Sequence, residues 1–135
     1  MRDTGSRKVL VVDDEQDVRA MLAEFLESQG FEVLAAANGL ESLLHVKRAR
    51  PDVVLLDLNM PRLGGLEALK RIRHFDPAIT VVIITGEPDP EPRERALAMG
   101  AARVLVKPFT LDALLQALGG EAAPEGAAAS MTEIR

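Results

Sequence analysis

No cysteine, tryptophan or tyrosine occurs in this chain of 135 residues, and phenylalanine occurs only four times. Without cysteine there can be no disulfide, no thiolate-bound zinc and no thiol nucleophile. Without tryptophan or tyrosine the core must be built mostly from aliphatic residues. Basic excess is missing as well: the net charge is −5, which removes the usual basis of general nucleic-acid binding, neutralisation of phosphates by Lys and Arg. Long apolar runs are also absent. Those at 9–12, 53–56 and 81–84 fall far short of the roughly 20 residues a membrane span requires. Residues 1–7 are polar and carry no secretory h-region, so a cytoplasmic protein without membrane association is expected.

What the chain does have is enough apolar material for one core, 47% hydrophobic residues, at a length suited to a single domain. The apolar residues fall into two kinds of segment. Short aliphatic runs, Val9-Leu10-Val11-Val12, Val33-Leu34-Ala35-Ala36, Val53-Val54-Leu55-Leu56, Val81-Val82-Ile83-Ile84 and Val104-Leu105-Val106, show little polar alternation, as strands covered on both faces do. Between them lie stretches of helical spacing. Val18, Met21, Leu22, Phe25 and Leu26 end at Gly30; Leu40, Leu43 and Leu44 stop before Arg50-Pro51; Leu66, Leu69 and Ile72 stop before Asp76-Pro77. A helix is expected from about Glu94 to Met99, because prolines crowd the residues before it. The last, Leu111 to Leu118, opens at Thr110 as N-cap and closes at Gly119-Gly120.

Alternating strands and helices predict an α/β fold, (βα)₅: a doubly wound, five-stranded parallel sheet in three layers. Residues 8–120 form the expected domain. Residues 1–7 read as a polar extension and 121–135, rich in Ala and Glu, as a flexible tail.

The polar residues that end the apolar runs are Asp13-Asp14, Asp57, Thr85 and Lys107. The carboxyl ends of parallel strands share one edge of the sheet, where ligands usually bind. Two carboxylates at ~4 Å repel by about 4 kcal/mol at an effective dielectric near 20, so such a cluster holds a proton or a cation. Oxygen ligands with no histidine or cysteine among them favour a hard ion such as Mg²⁺.

Val11-Val12-Asp13-Asp14-Glu15, Leu55-Leu56-Asp57-Leu58-Asn59-Met60-Pro61 with Gly64-Gly65, Ile84-Thr85-Gly86 and Val106-Lys107-Pro108-Phe109 resemble, in order, the motifs of response-regulator receiver domains of two-component systems. The resemblance runs from about Lys8 to Leu118. It implies the flavodoxin-like strand order 2-1-3-4-5, an order for which the chemotaxis member of the family is a reference example. It implies that Asp57 accepts a phosphoryl group from a sensor histidine kinase or a histidine phosphotransfer protein. Asp14, Asp57 and the backbone carbonyl of Asn59 would bind Mg²⁺ directly, and Asp13 through water. Lys107 and the Thr85 hydroxyl would contact phosphoryl oxygens, and the Lys107-Pro108 bond would be cis. Such a module would promote its own phosphorylation and dephosphorylation and would not turn over external substrates. Its output would be an unknown protein bound through the fourth helix, fifth strand and fifth helix.

Six positions depart from or tune the pattern. Val104 stands where receivers usually carry the aromatic that moves with the threonine, so the switch pair Thr85 and Val104 cannot work in the usual form. Asn59 and Glu87, two places after Asp57 and Thr85, resemble members whose acyl phosphate decays fast. Prolines 88, 90 and 92 stiffen the loop after Thr85.

Competing readings exist for single residues and for the whole. Asp13 or Asp14 alone could cap the next helix, Asp57 and Asn59 could be turn formers, and His45 and His74 sit in charged helical surroundings as solvated residues do. A receiver that binds partners without phosphorylation is the main alternative. An aspartyl-phosphate phosphohydrolase would carry a second Asp where Asn59 stands. A flavodoxin-like cofactor carrier would need a tryptophan or tyrosine to stack on its ring.

Overall fold

The computed structural model describes residues 7–60 and 62–119, together with the backbone of 133–134. Five parallel strands, β1 (Lys8–Val12), β2 (Glu32–Ala36), β3 (Val53–Asp57), β4 (Thr80–Thr85) and β5 (Arg103–Val106), form one sheet in the order β2-β1-β3-β4-β5. The helices between and after them are α1 (Gln16–Ser28), α2 (Gly39–Ala49), α3 (Gly65–Phe75), α4 (Glu91–Ala98) and α5 (Leu111–Ala117). This is the expected (βα)₅ doubly wound α/β fold with the 2-1-3-4-5 order.

Strand alternation sends neighbouring residues to opposite faces, and each face has its own core. Val9, Val11, Val53, Leu55, Val82 and Ile84 pack with Leu22 and Leu26 of α1 and Leu114 and Leu115 of α5. Leu10, Val12, Val54, Leu56, Val81 and Ile83 pack with Val46 of α2, Leu69 and Ile72 of α3 and Ala96 of α4.

Coverage on both faces holds for β1, β3 and β4 but not for the two edges. In β2, Val33 and Leu34 are half-buried and Ala35 is exposed; in β5, Val104 and Leu105 are half-buried and Val106 is exposed. An edge strand has one neighbour and less helix above it, while a run of aliphatics looks the same at an edge as in the centre.

α4 begins at Glu91, ahead of the expected Glu94, because Pro92 sits in its first turn, where a missing N–H costs nothing and φ is already helical. α2 opens on a reciprocal pair: Asn38 Oδ1 accepts from Glu41 N at 3.0 Å and Glu41 Oε1 accepts from Ala37 N at 2.9 Å. Thr110 caps α5 as expected, its Oγ1 accepting from Ala113 N at 3.0 Å. Phe109–Thr110 (β6) pairs antiparallel with Glu133–Ile134 (β7). The remainder of the expected extension and tail, 1–6, 121–132 and 135, lies outside the described residues, as does residue 120 at the end of the expected domain.

Candidate functional site

β1 and β3 are adjacent, with Val12 opposite Leu56, so the residues that follow them, Asp13-Asp14 and Asp57, emerge side by side at the carboxyl edge. One carboxylate oxygen from each of Asp13, Asp14 and Asp57 lies within 4.8 Å of the others. Asp13 is fully buried and Asp57 only 5% exposed, whereas Asp14 faces solvent. On the other side of β3, Asp57 is opposite Ile84 and Thr85 is opposite Val106. Thr85 is buried, and its carbonyl accepts the Lys107 N–H at 2.8 Å. The Lys107-Pro108 bond that follows is cis.

The turns after the strands fix the carboxylates. Asp13 Oδ1 accepts from Glu15 N at 2.9 Å, and Asp57 Oδ1 accepts from Asn59 N at 3.0 Å. Each acid thus gives one oxygen to its own turn. The capping alternative for Asp13 is met only in part: Glu15, whose amide Asp13 holds, is the N-cap position of α1, and no side chain caps that helix. Asp13 Oδ2 is left buried with no hydrogen bond. Its nearest counter-charge is Lys107 Nζ at 3.7 Å, an ion pair beyond hydrogen-bond reach.

The electrostatics follow from this crowding. Burial raises the Asp13 carboxyl above the ordinary range; the Glu15 N–H and Lys107 pull it down, and Asp14 and Glu15 push it further up. Asp57 is pushed up to about 6, first by burial and then by Asp13 and Asp14, against the Asn59 N–H and Lys107. A single ammonium does not offset three carboxylates. An orphaned buried oxygen and three converging acids are the donor set of a hard divalent cation, so the residues fit Mg²⁺. Among the described residues, the groups of acids, histidines and cysteines able to hold a metal reduce to these three aspartates. His45 on α2 is half-buried and His74 on α3 exposed, and neither belongs to the cluster.

Asn59 is exposed, with its N–H on Asp57. Val104 is opposite Ile83 and half-buried against the α2–α3–α4 core.

Two further residues support the turns: Arg19, which no motif includes, and Gly65, whose motif does not reveal its packing role. Arg19 Nη1, on α1, donates to the Asp13 carbonyl at 2.7 Å and ties the acidic turn to the helix; its only signal in the sequence is a cation six residues downstream. Gly65 lies so close to the turn after β3 that a Cβ there would come within 2.5 Å of Leu58 Cα and 2.6 Å of the Asp57 carbonyl oxygen. A glycine at this point lets α3 press against the turn that carries Asp57.

The family model described as response regulator receiver domain matches residues 9–119. Sporulation initiation phosphotransferase F of Bacillus subtilis (strain 168) is 36% identical over 113 residues, covering 84% of this chain and 91% of that protein. Regulatory protein AtoC of Escherichia coli (strain K12) is 40% identical over 111 residues, which cover 82% of this chain but 24% of AtoC. Among solved structures, Vibrio cholerae chemotaxis protein CheY4 aligns with a TM-score of 0.78 at 38% identity, over 84% of this chain and 97% of that one.

Proposed function

The chain belongs to the response-regulator receiver family, and on that premise we propose that it accepts a phosphoryl group on Asp57 from a phosphohistidine donor, with Mg²⁺, and that the acyl phosphate alters its affinity for a protein partner. The observation that carries this reading is the meeting of Asp13, Asp14 and Asp57 within 4.8 Å, with Lys107 Nζ 3.7 Å from Asp13. The name of the Bacillus relative, a phosphotransferase of nearly the same length, fits the same chemistry.

Asp57 is the nucleophile. Its Oδ1 is held by Asn59 N–H, which leaves Oδ2 to attack phosphorus. The new O–P bond forms as the donor's N–P bond breaks, and the departing imidazole keeps the electron pair and takes up a proton. Attack requires the ionised carboxylate, which a group pushed up to about 6 still supplies at neutral pH. Asp13, Asp14, Asp57 and the Asn59 carbonyl would hold Mg²⁺, which supplies charge neutralisation at the phosphoryl oxygens. Lys107, now leaning on Asp13, would turn to one phosphoryl oxygen. The Thr85 Oγ1 accepts from Glu87 N at 2.9 Å, and its hydroxyl would swing to donate its proton to another. Positioning and neutralisation supply most of the catalysis in phosphoryl transfer. Asn59 and Glu87 suit a short-lived acyl phosphate, and the partner would meet α4, β5 and α5.

Val104 favours a second reading, a receiver that binds its partner unphosphorylated. Intact mass after incubation with acetyl phosphate separates the two. One added phosphoryl group that requires Mg²⁺ and is lost in Asp57→Asn is expected. An unchanged mass in the parent would leave the unphosphorylated module standing.

A further inference from the structure

From Thr85 into the first turn of α4 the chain reads Gly86-Glu87-Pro88-Asp89-Pro90-Glu91-Pro92. Every second residue from 88 is proline and has no N–H, so residues 87–92 possess only three backbone donors. Each of the three is taken by the side chain two residues back. Glu87 N donates to Thr85 Oγ1 at 2.9 Å, Asp89 N donates to Glu87 Oε1 at 3.3 Å, and Glu91 N donates to Asp89 Oδ1 at 3.0 Å. The rungs run without a gap from the buried hydroxyl of the site to the first residue of α4. The prolines between them fix φ, so the ladder has little freedom to absorb a change at one end.

The far end is lightly held. Ala96 is the only fully buried residue of α4, Leu97 is 49% exposed, and no side chain caps the helix from its N-cap position, Pro90. Asp89 performs that service from one residue further out.

We propose that this ladder, Thr85–Glu87–Asp89–Glu91, is how this chain couples its site to α4, in place of the aromatic that Val104 replaces. The proposal rests on Asp57 as phosphoacceptor. When the Thr85 hydroxyl swings to donate to a phosphoryl oxygen, Oγ1 leaves the Glu87 amide. That amide loses its acceptor, and the displacement passes through Glu87 and Asp89 to the Glu91 N–H. Glu87 and Asp89 are positioning residues: they act on α4 and touch no reacting atom.

Backbone amide spectra of the full chain with Mg²⁺, with and without beryllofluoride as phosphoryl mimic, test this in the parent, Asp89→Ala and Asp89→Asn. Position 89 is exposed and outside the acidic cluster, so all three should load the mimic alike, as read at Asn59 and Gly86. In the parent, Glu87, Asp89, Glu91 and residues 93–98 shift on loading. In Asp89→Ala the shifts at Glu87 persist and those at 93–98 largely vanish, with α4 amides exchanging roughly fivefold faster, as loss of a cap predicts. Asp89→Asn keeps the acceptor oxygen and restores the parent pattern. Parent-sized shifts across 93–98 in Asp89→Ala, with normal ones at Asn59, would overturn the ladder alone. No shift at Asn59 or Gly86 in the parent would overturn the phosphoacceptor reading, and the ladder with it.

Discussion

Asp57 is under two opposed demands. In the proposed reaction its carboxylate must be ionised to attack phosphorus, yet burial and two neighbouring acids raise its protonation range to about 6 from an ordinary 3.8. Because the folded state holds this proton more tightly than the unfolded chain, the associated stability is fully present below about pH 4 and is lost as pH rises through about 6. Without Mg²⁺, urea denaturation should therefore give a parent less stable at pH 7 than at pH 5. Asp57→Asn should flatten that slope and raise stability at pH 7 by on the order of 1–3 kcal/mol. A variant no more stable than the parent at pH 7 would mean that the carboxylates do not crowd one another. The identities of these acids were legible because each ends an apolar run. That such a cluster must hold a proton or a cation was legible too, but which acid is raised and how far was not, because that depends on burial and on the separation of residues far apart in sequence. Arg19 escaped notice for a related reason: its hydrogen bond is to the Asp13 backbone, which leaves no motif.

At the level of elements, the site depends on how closely α3 meets the turn after β3. Gly65→Ala adds one methyl where the Leu58 Cα and Asp57 carbonyl already stand at 2.5 and 2.6 Å from it. It should cost about 1–3 kcal/mol, the usual range for overpacking, and weaken Mg²⁺ binding through the displaced turn. Gly64→Ala, where a Cβ would meet nothing within 4 Å, is the control and should leave metal affinity unchanged. Adjacent glycines in one motif thus have different reasons to be there, which the sequence alone could not separate. Apolar runs and breakers revealed every strand and helix of the main sheet. They misjudged the start of α4, since prolines that break a helix interior are compatible with its first turn. They also misjudged β2 and β5, since residue type does not say which strand lies at an edge.

For the molecule as a whole, the parallel sheet gathers three acids and one lysine at one rim of a chain whose net charge is −5. A divalent cation that binds only the folded form must raise stability, by about 2.7 kcal/mol at a hundredfold excess over its Kd. A saturable rise in melting temperature with Mg²⁺ is expected for the parent, and a much smaller one for Asp14→Asn, while Glu24→Gln on exposed α1 surface should match the parent. Equal rises in all three would indicate a nonspecific salt effect. The strand order that brings these acids together is not written in any single run; it followed from the resemblance and is seen in the sheet.

The role of Asp57 can be read covalently. After exposure to acetyl phosphate and Mg²⁺, borohydride reduces an aspartyl phosphate to homoserine, and peptide mass mapping locates the change. Homoserine at position 57 and nowhere else is the predicted result. Homoserine at position 13 or 14, or none at any position after a confirmed gain of phosphoryl mass, would contradict Asp57 as the nucleophile.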